Sequence, residues 1–152
     1  MKKMVIIVCF MSFMLSACSQ VRSDVPDTAP AKATQANVEK FIAANSNYDP
    51  STLVSLYSPD VLWMDNGDAY GPIHFDSLDW LIWNDYGPDQ MTLSFRFYLV
   101  TYDGRFSVVE GTFSTKNKTT GKWVSMPAVV VLEFEDGKII KETWYYNSWP
   151  MQ

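Results

Sequence analysis

Cysteine and histidine are scarce in this chain of 152 residues, which holds two of the first and one of the second. Two thiols are too few for a disulfide framework, and one imidazole is too few for the usual His- or Cys-rich metal sets, so no metal and no cofactor is expected. Positive charge is also short, with 12 Lys and Arg against 17 Asp and Glu and a formal net charge of −5. That balance has the wrong sign for a phosphate backbone, which argues against a nucleic-acid partner. No Ser-His-Asp arrangement, phosphate-cradling glycine loop, internal repeat or low-complexity run is present. What remains is 47% hydrophobic, 15% aromatic and 19% charged. This composition fits one globular domain and excludes collagen-like, disordered and multi-domain chains.

The N-terminus has the layout of an export signal. Lys2 and Lys3 precede an apolar run from Met4 to Leu15, too short to span a bilayer core as a helix. The run ends in Leu15-Ser16-Ala17-Cys18, which resembles the bacterial lipobox. That resemblance implies a signal peptide over residues 1–17, diacylglyceryl transfer to the Cys18 thiol, and cleavage that makes Cys18 the first residue. Acyl chains then tie the protein to a membrane without crossing it, since each buried methylene contributes roughly 0.8 kcal/mol. In lipoproteins of two-membrane bacteria an Asp after the cysteine marks the inner membrane, and Ser19 stands there in this chain. The expected location is therefore the outer membrane, facing the periplasm. Loss of Cys9 and acylation of Cys18 leave no free thiol, and the mature charge falls to about −7.

Residues 18–33, with Asp24, Pro26, Asp27 and Pro30 among small side chains, read as the acylated cysteine and a flexible tether. The folded domain is expected over residues 34–152. Val38, Phe41 and Ile42 have the spacing of a buried helical stripe, which predicts a helix over 35–45. Asp49-Pro50 is a start signal for a second helix with Leu53, Val54 and Tyr57 on its apolar face, ended by Pro59. Val61 to Met64 suggest a short strand, and Asn66-Gly67-Asp68 with Gly71-Pro72 a loop. Phe75, Leu78, Leu81 and Ile82 suit a third helix over 73–84. Four long strands follow, at 92–102, 106–115, 123–135 and 138–147. Asp103-Gly104 and Asp136-Gly137 are two-residue hairpin signals, and Gly121 supplies the remaining turn. Helices followed by an antiparallel meander give the α+β class.

The order of these elements resembles the nuclear transport factor 2-like superfamily, with its SnoaL-like cyclases and ketosteroid isomerases. The carrying segments are Phe41-Ile42-Ala43-Ala44-Asn45, Asp60 to Asp65, Gly71-Pro72, and Phe134-Glu135-Asp136-Gly137-Lys138-Ile139. The resemblance implies a cone: three N-terminal helices packed on a curved antiparallel sheet, with a mostly apolar pocket at the open end. Asp65 falls on the position of the isomerases' proton-shuttling carboxylate. Their two oxyanion donors fall on Phe41 and Val130, neither of which can donate from its side chain. Losing one such donor typically costs roughly 2.7–4 kcal/mol of barrier, which disfavours steroid isomerisation.

Alternation along strands puts Trp63 on the side of Asp65, and Glu142, Trp144 and Tyr146 on the pocket side as well. The candidate ligand-binding set is Trp63, Asp65, Trp83, Val130, Trp144 and Tyr146. The aromatic members suit flat or apolar ligands, with indole N–H and phenol O–H giving orientation. Asp65, flanked by Trp63 and Trp83, could act as a general base with His74 or Tyr146 as proton donor; its plainer role is bonding the Asn66-Gly67 turn. His74 could equally be a solvated first-turn residue. Arg96 and Glu110 make either a buried pair or an exposed cross-strand pair. The mixed charges from Glu133 to Glu142 read as a solvated sheet face. The leading expectation is a lipid-anchored envelope protein whose conical pocket binds a small hydrophobic or aromatic ligand, or docks a partner. The alternative is a cofactor-free lyase or isomerase using Asp65 as base. A third expectation is a plugged pocket, with homodimerisation through the outer sheet face.

Overall fold

The computed structural model describes residues 21–70, 89–117 and 119–147. The expected third helix, over 73–84, lies outside them. The described residues form two helices and a seven-stranded sheet of order β1-β4-β5-β6-β7-β2-β3. The α+β class stands, with two described helices where the sequence predicts three.

Helix α1 spans Ala29–Asn47, longer at both ends than its apolar stripe suggests. Thr28 caps it by accepting from the Ala31 amide, and Pro30 sits in the first turn, where a missing N–H costs nothing. Ala31, Thr34, Val38, Phe41, Ile42 and Asn45 recur at helical spacing and are buried. The tether expected over 18–33 is therefore corrected: residues 29–33 belong to α1. Upstream of it, β1 (Arg22–Asp24) pairs in parallel with β4, Arg22 opposite Phe97 and Asp24 opposite Leu99. Tyr48 ends α1 in the left-handed conformation, and Asp49 caps α2 (Pro50–Leu56) through the Thr52 amide. Leu53 and Leu56 are the buried residues of α2, Val54 is exposed, and Tyr57 already belongs to the next strand.

The meander matches its expected spans closely: β4 (Met91–Val100), β5 (Phe106–Lys116), β6 (Trp123–Glu135) and β7 (Lys138–Tyr146). Asp136 and Gly137, both at positive φ, form the expected two-residue turn between paired Glu135 and Lys138. The Asp103-Gly104 connection is longer, because the Thr101 amide bonds the Phe106 carbonyl and four residues lie between them. The short strand expected at 61–64 is instead β2 (Tyr57–Asp65), which carries Pro59 within it and runs parallel to β7. Asn66-Gly67 is a tight hairpin turn to β3 (Asp68–Tyr70), with both turn residues at positive φ.

Residues from both helices and from β2 and β4 to β7 share one core. Phe41 and Phe95 meet at 6.2 Å between ring centroids. Val38, Phe41, Val61, Val109, Val130, Leu132 and Ile139 are fully buried, each contributing about 1.5–3 kcal/mol of transfer free energy. The outermost described strands, β1 and β3, have three residues each and pair with Phe97–Leu99 of β4 and Trp63–Asp65 of β2.

Gly104 ties α1 to the sheet. It has φ +71°, and a Cβ there would lie 2.5 Å from the Pro30 carbonyl oxygen, beside the 2.6 Å bond from Thr34 Oγ1 to the Gly104 carbonyl. Gly67, at φ +97°, has open space around it. Gly67→Ala is expected to lose about 1–2 kcal/mol from backbone strain alone, and Gly104→Ala distinctly more, as measured by urea unfolding.

Candidate functional site

Two facing strands and a turn build the site. In the β2–β7 register Trp63 lies opposite Glu142 and Asp65 opposite Trp144. Because successive side chains alternate, Trp63, Asp65, Glu142, Trp144 and Tyr146 share the inner face of the sheet. The Asn66-Gly67 turn fixes this register. The Asn66 amide donates to the Trp144 carbonyl at 2.9 Å, and Asn66 Oδ1 accepts from the Tyr146 amide at 2.9 Å. The turn is therefore held by Asn66, and the Asp65 carboxylate faces inward.

There Asp65 Oδ2 accepts a hydrogen bond from the Tyr146 phenol at 2.8 Å. Its other oxygen, Oδ1, is buried and has no hydrogen-bond partner among the described residues. Burial raises the Asp65 pKa; the Tyr146 bond works against that rise and the Asp68 charge adds to it. Tyr146 packs on Phe113 at 5.3 Å between centroids, and Leu93, Phe113, Trp63 and Tyr146 are half-buried against the core. An unsatisfied buried acceptor costs about 1–3 kcal/mol, so Oδ1 suits a donor brought by a ligand.

Glu142 is the residue that charge patterning misassigns. It is only 3% exposed, although it sits in a stretch whose mixed signs suggest a solvated face. Oε2 accepts from the Tyr57 phenol, Oε1 accepts from the Trp144 indole N–H, and Trp63 is a third hydrogen-bond partner. None of the ion pairs among the described residues involves it. Desolvation raises its pKa against the lowering effect of those three bonds, and burial beside Glu142 pushes Tyr57 well up. Strand parity and the cross-strand partner Trp63 were the available signals for Glu142. Tyr57 was hidden by its assignment to α2.

The other expected residues sort plainly. Trp144 is buried with its indole N–H committed to Glu142, so it cannot use that N–H to orient a ligand. Val130 and Phe41 are fully enclosed core residues and offer no side-chain donor. His74 and Trp83, with any Asp65–His74 dyad, lie outside the described residues, as does Cys18. Arg96 and Glu110 form the exposed version of their pair, with side chains 62% and 38% exposed. Among the described residues no group of three His, Cys, Asp or Glu side chains could hold a metal ion, and no helix is long and apolar enough to cross a membrane. An open groove of about 520 Å³ lies at the opposite end of the sheet, beside Pro30, Asn37, Gly104 and Gly137, remote from Asp65.

With this geometry in view, the chain matches the SnoaL-like domain family over residues 38–142 and belongs to it. Solved structures share the fold. Bal32a, from a soil-derived mobile gene cassette, is 17% identical with a TM-score of 0.65, covering 77% of this chain and 91% of its own. A candidate polyketide cyclase from Xanthomonas campestris is 18% identical at 0.64, covering 78% and 93%. TerC, co-crystallised with polyporic acid, is 18% identical at 0.62, covering 76% and 92%. Comparison with curated proteins gives no match.

The Glu142 arrangement carries a pH signature. A carboxyl whose pKa is raised by folding stabilises fully below its unfolded pKa of about 4.3, and that contribution is lost as pH rises through the folded value. Urea unfolding of Glu142→Gln across acid to neutral pH is expected to lack this decline, so the wild-type-minus-variant difference falls with rising pH. A pH-independent difference contradicts the assignment.

Proposed function

We propose that this SnoaL-like chain is a lipid-anchored envelope protein, held at the outer membrane through acyl chains on Cys18, whose inner-face site binds a small hydrophobic or aromatic molecule. The carrying observation is the buried Asp65 Oδ1, without a hydrogen-bond partner among the described residues, beside the Tyr146 phenol on a face otherwise supplied by Trp63, Phe113 and Leu93. Such a site favours a ligand with a flat apolar body and one hydrogen-bond donor or cationic group. The candidate polyketide cyclase and the TerC complex with polyporic acid lend support to ligands of this size and type.

A second reading, a cofactor-free lyase or isomerase, is favoured by one feature of the same pair. An inward carboxylate with a raised pKa is a better proton acceptor, and a phenol at 2.8 Å could return the proton elsewhere on the substrate. The chemistry would be proton abstraction next to a carbonyl, without the side-chain oxyanion donors that Phe41 and Val130 replace.

A second copy is the partner we propose for the outer sheet face. Phe97, Leu99, Val108, Val129 and Val131 are apolar there and only partly covered, whereas a solvated antiparallel face normally carries polar side chains. Sedimentation at several concentrations is expected to give a dimer; a monomer throughout contradicts this.

Native mass spectrometry of the membrane-extracted protein reads anchoring and ligand together. The expected species lacks residues 1–17, carries acyl mass at Cys18 and retains a co-purified small molecule. Asp65→Ala is expected to weaken retention about 10–100-fold, equivalent to a charge-assisted hydrogen bond of about 1.5–3 kcal/mol. An unacylated chain counts against the anchor, and equal retention by the variant counts against the site.

A further inference from the structure

The short reach between anchor and fold orients the domain. Only Ser19, Gln20 and Val21 lie between Cys18 and Arg22, the first residue of β1. At full stretch a segment of this length bridges no more than roughly 14 Å. Since β1 runs parallel to β4 with Arg22 opposite Phe97, the N-terminal end of β1 points toward the Met91 end of the sheet. The same end carries the β5–β6 hairpin, where Thr115 pairs with Met91 and Lys116 with Trp123. Trp123 is 47% exposed, and Lys116 and Lys122 are exposed beside it. The turn from Lys116 to Lys122 contains no acidic residue in a chain of net charge −5. Asp89, next to the Gln90 carbonyl that accepts the Lys116 amide, offsets part of this local charge. The opposite end presents exposed Asp103, Glu135 and Asp136, while its Arg105 is paired with Glu133 and its Lys138 donates to the Ser55 carbonyl.

An exposed tryptophan flanked by lysines matches the chemistry of a bilayer interface, where indole rings sit at headgroup depth and ammonium groups meet anionic phosphates. We propose that the Met91 end of the domain rests on an anionic lipid surface through Lys116, Lys122 and Trp123. Leu93 and Phe113 lie toward this end of the inner face, and Phe113 packs on Tyr146, which stands with Asp65 at mid-sheet. These side chains line the way from the lipid surface to Asp65, so the ligand is a molecule that partitions into the bilayer and passes to the site from it. The inference rests on the lipid anchor proposed above.

The mature acylated chain has no other thiol, so Thr119→Cys at the hairpin and Glu135→Cys at the far end each give one labelling site. Both proteins, carrying an environment-sensitive fluorophore, are reconstituted in phosphatidylethanolamine–phosphatidylglycerol vesicles containing headgroup-nitroxide lipid. The Thr119→Cys label is expected to be quenched several-fold more than the Glu135→Cys label, and Lys116→Glu with Lys122→Glu to reduce that contrast. Equal quenching on vesicles that carry the acylated protein overturns the inference while leaving the anchor intact. A protein that neither carries acyl mass nor floats with the vesicles removes the anchor and the inference together.

Discussion

Parallel pairing of β2 with β7 is the constraint on which the inner-face chemistry depends. It lays Trp63 beside Glu142 and Asp65 beside Trp144, and Asn66 locks that alignment from both sides through the Trp144 carbonyl and the Tyr146 amide. Parallel strands need a long connection, and here the chain from β2 to β7 passes through β3 to β6, so these side chains meet only once the meander has brought β7 back beside β2. A one-residue slip would turn Trp63 and Asp65 to the outer face together. The hairpin that ends β2 is therefore part of the site, although Asn66 and Gly67 are themselves exposed.

Two carboxyls on this face are handled differently. Glu142 is enclosed and receives donors from Tyr57, Trp144 and Trp63, three neutral dipoles in place of a cation. Such an arrangement fixes rings and phenol in place, and removing a single donor would leave a buried acceptor partly unsatisfied. Asp65 has one oxygen held by Tyr146 and the other without a partner among the described residues. The first carboxyl organises the wall behind the site, while the second presents an acceptor to whatever enters. Sequence proximity conceals this division of labour, since Glu142 follows Lys141 in a run of mixed charge.

Much of the scaffold was legible because its determinants are local. Asp-Gly and Asn-Gly dipeptides at positive φ, β-branched and aromatic runs, and the Asp49-Pro50 cap each act over a few residues, and the meander follows from them. The start of α1 was obscured by alanines and a proline that suggest a linker, although Thr28 and Pro30 form a good N-terminal cap. β1 is three exposed residues paired with β4 and flanked by Val21 and Val25 packed on the core, and no local pattern announces it. Strand parity correctly put Trp63, Asp65, Trp144 and Tyr146 on one face. It could not reveal which polar atoms are already spent, because the commitments of the Trp144 indole and the Tyr146 phenol are tertiary facts.

Ligand binding at this face requires Asp65 to point inward with Oδ1, which has no partner among the described residues, able to accept a donor. Carbon-13 NMR titration of the Asp65 carboxyl in the intact protein tests this most directly. A midpoint above the usual aspartate range, near 3.9, that moves when ligand occupies the site is the predicted result. A midpoint at or below that range, unmoved by ligand, would mean a solvated turn residue and contradict the account.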